Sequence, residues 1–124
     1  MTRGPRPALG WALAALGAAA LLSACAVASQ GAAAPVRTDT VSMVKSYRFA
    51  PAVIEVPAGT SITWHNADNF THSVRLVGKS DTDRLVRPGE RTTITFSTPG
   101  EYPYDCSLHP RDMRGKVIVT AAGG

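Results

Sequence analysis

Beyond residue 40 the chain falls into short runs of alternating apolar and polar residues, each closed by a turn signal. Such a period of two marks half-buried strands. Residues 41–43 begin the first run. Tyr47-Arg48-Phe49 alternates and stops at Ala50-Pro51, and Val53-Ile54-Glu55-Val56 follows, closed by Pro57-Ala58-Gly59. Ser61-Ile62-Thr63-Trp64 puts Ile62 and Trp64 on one face, and Ser73-Val74-Arg75-Leu76 alternates again. After the turn Pro88-Gly89-Glu90, residues 92–96 turn Ile94 and Phe96 inward. After Pro99-Gly100, Tyr102 and Tyr104 carry that parity to Cys106, and residues 115–119 form the last run. Residues 78–87 read as a loop with one short strand at 84–86. No stretch of this region holds a helical period. Seven or so strands at a spacing of about 8–12 residues predict an all-β sandwich or barrel.

The start of the chain follows other rules. Arg3 and Arg6 precede an apolar stretch over residues 9–22. A transmembrane helix needs about 20 apolar residues, so this stretch reads as a signal peptide, residues 1–24. Leu22-Ser23-Ala24-Cys25 resembles the bacterial lipobox, in which the Cys becomes the lipidated first residue. The alternative is ordinary cleavage after Ala26-Val27-Ala28 or within the Ala run 32–34. Residues 25–39, Ala-rich with Gln30, Gly31 and Pro35, read as a flexible tether, leaving 40–124 as the domain. The expected location is the periplasm or the outer face of the cytoplasmic membrane, with a lipid on Cys25 as the anchor.

Charge removes one class of function. The 124 residues carry a formal charge of +4, but without Arg3 and Arg6 eleven Lys and Arg face nine Asp and Glu. That mild, mixed surplus gives no electrostatic footprint for nucleic acid. Cysteine usage points elsewhere. The chain has two Cys, Cys25 and Cys106. With Cys25 lipidated, Cys106 stands alone in an oxidising compartment, which leaves pairing with another chain or metal ligation.

The surroundings of Cys106 favour a metal. Cys106, His109 and Met113 place a thiol, an imidazole and a thioether within eight residues, and His72 lies 34 residues before Cys106 at the head of a predicted strand. Two His, one Cys and a weak axial Met form the donor set that suits copper and one-electron transfer. A structural zinc site wants four strong donors, and Met is a poor fourth. Asp112 is the rival axial donor, a hard carboxylate. His65 has the opposite parity to Trp64 and reads as solvent-facing. No paired carboxylates or nucleophile–base motif offers an enzymatic chemistry.

The runs Phe49-Ala50-Pro51, Val56-Pro57-Ala58-Gly59, Ile62-Thr63-Trp64-His65-Asn66, His72-Ser73-Val74, and Pro99 through Cys106 to His109 and Met113-Arg114-Gly115-Lys116-Val117 span nearly the whole domain. They resemble the cupredoxins, small blue copper proteins, above all the amicyanin, plastocyanin and pseudoazurin branch. The resemblance implies an all-β Greek-key sandwich of seven or eight strands, and one copper ion with His72, Cys106 and His109 as strong equatorial ligands and Met113 as the long axial one. It implies that Asn66 ties the two ligand loops together with Ser107 as its partner, and that the Ser73 N–H points at the Cys106 sulfur. It makes the ring edge of His109 the electron port; in this sequence Leu108 and Pro110 supply apolar surface around it, and Arg111 and Arg114 read either as a mildly basic rim or as simply solvated. The implied function is a monomeric electron carrier meeting transient redox protein partners; the alternative is a protein that binds and delivers a single copper ion. Two departures stand out: three residues separate His109 from Met113, where relatives have two or four, and Thr71 stands where Pro is frequent.

Overall fold

The computed structural model describes residues 34–123 and, in the leader, residues 4, 5, 8 and 10, which carry no regular structure. Cys25, the cleavage region and most of the expected tether lie outside the described residues. Contacts divide the chain into a unit of residues 1–30 and a unit of residues 31–124.

Among its described residues the second unit holds ten strands: β1 Val36–Arg37, β2 Thr40–Val44, β3 Arg48–Ala50, β4 Val53–Pro57, β5 Thr60–Asn66, β6 His72–Leu76, β7 Arg84–Val86, β8 Arg91–Phe96, β9 Gly100–Asp105 and β10 Arg114–Thr120. One sheet runs β1-β4-β10-β9-β6-β7 and the other β3-β2-β5-β8. The alternation read from the sequence is what folds them. In β5, Ile62, Trp64 and Asn66 are buried while the residues between them are partly exposed. Val41, Met43, Phe49, Ile62, Trp64 and Phe96 from one sheet meet Ile54, Val56, Val74, Val86, Tyr104, Val117 and Val119 from the other in a single core. The architecture is therefore the predicted all-β sandwich.

The additional strands are short. The sheet begins before residue 40: Val36 and Arg37 pair in parallel with Ile54 and Glu55, and the Asp39 carbonyl accepts the Thr63 N–H at 2.9 Å. The expected tether 25–39 is thus too long at its C-terminal end. Two residues of backbone pairing leave no side-chain period to read. Tyr47 also departs from expectation. It leaves the strand and sits in the three-residue connection 45–47 between β2 and β3, where Ser46 and Tyr47 both have positive φ, 70° and 55°. Non-glycine residues in that region each cost about 1–3 kcal/mol.

Two features set the frame for the end of β9. Phe49 and Trp64 pack edge-on against Tyr104, with ring centroids 4.7 and 5.3 Å away. β6 and β9 run antiparallel with Arg75 opposite Asp105 and Leu76 opposite Tyr104. The Arg75 guanidinium grips the Asp105 carboxylate through two hydrogen bonds of 2.9 Å, which pins this register.

Candidate metal centre

That register decides what meets at the strand ends. Carried two residues further, it brings Ser73 level with Ser107, with His72 just beyond and Cys106 just before. One donor atom each from His72, Cys106 and His109 then lies within 4.8 Å of the others. His72 and Cys106 are fully buried, and His109 is half-buried. The Cys106 thiol is free, and His109 Nδ1 lies 3.9 Å from its sulfur.

Backbone bonds shape the loop that carries three of the expected ligands. The Cys106 N–H donates to the Met113 carbonyl at 3.0 Å, closing the loop at its base. The His109 N–H donates to the Cys106 carbonyl at 3.0 Å. The His109 carbonyl accepts from both Asp112 (3.3 Å) and Met113 (3.0 Å), so Pro110, Arg111 and Asp112 occupy a single helical turn. This is how the intermediate loop length is absorbed. The turn leaves Asp112 exposed and Met113 fully buried. Leu108 is 51% exposed, and Pro110, Arg111 and Arg114 are exposed as well. The Arg114 side chain folds back to donate to the Pro110 carbonyl at 2.7 Å.

The polar frame is partly as expected. The Ser73 N–H donates to Cys106 Sγ at 3.2 Å, and the Ser107 N–H donates to Ser73 Oγ at 2.7 Å. The expected partnership of Asn66 with Ser107 does not form. Ser107 Oγ lies 2.9 Å from Ser73 Oγ instead. The Asn66 amide donates to the Phe70 and Val86 carbonyls, both at 2.8 Å, and its oxygen accepts the Asp68 N–H at 2.9 Å. Asn66 therefore braces the loop leading to His72, and the Ser73–Ser107 pair joins the two ligand segments. The reason is register: the β6–β9 pairing, carried on, puts Ser73 directly across from Ser107.

Two neighbours of the site escaped the sequence reading. Asp68 Oδ2 meets His72 Nε2 at 2.9 Å in a buried pair. The hydrogen bond with His72, and after it the Asn69 N–H, hold the Asp68 carboxyl below the ordinary carboxylate range. A carboxylate can only accept, so the hydrogen bond assigns the His72 proton to Nε2. In the neutral imidazole Nδ1 then carries the lone pair, and it is buried without a hydrogen-bond partner. The other neighbour is Tyr47, whose ring lies 4.2 Å from that of His109, centroid to centroid. An acidic residue four before a His carries a weak signal; a tyrosine in a turn 62 residues from His109 carries none. His65 sits mid-strand in β5, opposite Ser42 and Arg91, and does not join the group.

An unpartnered buried imidazole nitrogen is costly to maintain in an apolar interior. Beside a thiol and a second imidazole it makes a soft N₂S donor set, which fits copper. The sequence comparisons agree with this chemistry. The family model of the cupredoxin-like domain matches residues 13–119, and the chain belongs to that family. Amicyanin-alpha of Methylorubrum extorquens is 33% identical over 113 residues, covering 87% of this chain and 92% of its own. A chloroplastic plastocyanin of Tetradesmus obliquus is 40% identical over 83 residues, and the match spans 57% of either chain. A Met-to-Gln variant of amicyanin, solved in its Cu(I) form, superposes with a TM-score of 0.58 at 28% identity, covering 65% of this chain and 80% of that one.

Proposed function

We propose that this chain is an exported blue copper protein that passes single electrons between redox partners. The observation that carries the reading is the convergence of His72, Cys106 and His109 donor atoms within 4.8 Å, with His72 Nδ1 buried and unpaired. These three residues would hold the metal, with Met113 as the fourth, weaker donor. The burial of Met113 and the exposure of Asp112 support Met113 for that place. Copper supplies a reversible one-electron couple when bound. The chain's own residues do the rest. Asp68 fixes the His72 tautomer, and the Ser73 N–H donates to the sulfur, a contact of the kind that tunes a metal's potential. The exposed edge of His109, bordered by Leu108 and Pro110, serves as the electron port. Transient docking of a protein partner there matches the small contact areas of redox encounters.

The carrier reading is preferred to an enzymatic one because the described residues hold one group of three close metal donors, and His65 stands apart from it. A lipid on Cys25 and a monomeric state complete the proposal. The test is a Cu(II) titration followed in the visible spectrum. An intense thiolate-to-copper band, bleached by ascorbate and absent in Cys106→Ser, is expected. Stoichiometric binding without that band would sink the carrier reading in favour of single-ion copper delivery.

A further inference from the structure

Tyr47 is unusual on two independent counts. Its backbone has φ of 55° and follows Ser46 at 70°. For a bulky side chain this is a true outlier; Gly, Asn or Asp is what such a turn calls for. Local conflicts of this kind persist where the surrounding structure overrides them, and they gather at ligand clamps and other functional sites. The second count is what the ring meets. Its centroid is 4.2 Å from that of His109, with the planes 40° apart, and it stands edge-on to His72 at 6.1 Å and 87°. The two imidazoles are themselves 5.8 Å apart. One side chain of the β2–β3 turn thus packs on two imidazoles delivered by β6 and by the loop after β9.

We propose that Tyr47 is a positioning residue of the metal centre, whose ring fixes the plane of His109 while its edge packs on His72. This rests on the carrier reading above. The two imidazoles are secured differently. His72 is buried and oriented through Nε2 by Asp68. His109 is half-buried between the exposed Leu108 and Pro110, and the ring of Tyr47 does for it what the carboxylate does for His72. Aromatic rings attract one another in offset and tilted arrangements, so the contact favours one orientation of the imidazole over its rotation. A fixed ring keeps the donor geometry the same before and after an electron moves. Tyr47 is 38% exposed, so its outer edge also belongs to the surface that a partner meets beside His109.

The experiment compares Tyr47→Phe, Tyr47→Leu and Tyr47→Gly with the natural protein in two forms. In metal-free protein, NMR of the imidazole protons reads the ring current of Tyr47 on His109. In copper-loaded protein, the reduction potential reads the donor geometry. Tyr47→Phe is expected to keep both values. Tyr47→Leu and Tyr47→Gly are expected to lose the ring-current displacement of the His109 protons and to shift the potential in the same direction. Gly relaxes the left-handed turn, so a Gly variant that melts no lower than the Leu variant assigns the loss to the missing ring. Unmoved His109 protons in the Leu and Gly variants, or equal potentials for Leu and Phe, overturn the proposal. If the natural protein itself shows no blue band, the carrier reading fails, and the metal-free spectra still decide whether Tyr47 holds His109.

Discussion

The two nitrogens of His72 have opposite surroundings, and the difference traces to one residue. Asp68 accepts a hydrogen bond from Nε2 at 2.9 Å, while Nδ1 is buried without a partner. Carboxylates that orient a ligating imidazole in this way are worth about 10–100-fold in metal affinity. Asp68→Ala is therefore expected to weaken copper binding by about that factor, measured by competition against a chelator. Asp68→Asn keeps an acceptor for the Nε2 proton and should fall between; an Ala variant with natural affinity would show that the carboxylate orients nothing. Much of the site was readable at this scale, because Cys106, His109 and Met113 sit close in sequence and His72 opens an alternating run. Ser73 donates to the sulfur as the family resemblance implied. The partner of Asn66 was not readable, since the register that sets Ser73 across from Ser107 and Asn66 on the Phe70 and Val86 carbonyls exists only in the folded sheet. Asp68 and Tyr47 act through contacts that only the folded chain creates.

Strands deliver these residues, and their delivery depends on how closely β9 and β10 approach. Gly115 lies opposite Tyr104 in that pairing. A Cβ on Gly115 would overlap the Tyr104 ring and press on the Ala52 carbonyl. Tyr104 cannot yield easily, being wedged between Phe49 and Trp64 directly below Cys106. Its phenol is pushed up by burial and stays protonated, so no charge eases its surroundings. Overpacking at such a place costs about 1–3 kcal/mol. Gly115→Ala should lower stability by about that amount in urea unfolding of the metal-free protein, and a neutral result would mean that β10 can slide without cost. The long strands were legible because burial on one face imposes alternation. β1 was not, because two residues cannot show a period, and beyond the backbone its pairing with β4 has an Arg37–Glu55 ion pair at 3.8 Å. The Tyr47 turn was misread as strand because tyrosine favours strands and nothing local announces a left-handed backbone.

For the whole molecule, the decisive question is where the carrier works. With the proposed leader removed the chain would have little charge to steer it, since Arg3 and Arg6 supply half of the formal +4. A mild surplus of two cannot raise encounter rates the way a strongly charged face does. Confinement to a membrane surface can, because tethering replaces free diffusion with a raised effective concentration near partners held in the same membrane. The proposed lipid on Cys25 would provide this, provided that it carries more than one acyl chain; a single chain gives only marginal, reversible binding. The folded sheet starts at Val36, so ten residues, 26–35, separate the proposed anchor from the domain. Expressed with its leader in a bacterium, the protein should partition with membranes and release into the soluble fraction only with detergent. Cys25→Ala should move it to the soluble fraction. Because the proposed metal centre draws its donors from His72, Cys106, His109 and Met113, the blue absorbance per molecule should not change. A natural protein that is soluble from the outset, with a mature N-terminus beyond residue 25, would show that ordinary cleavage occurs and that partners are met by diffusion alone.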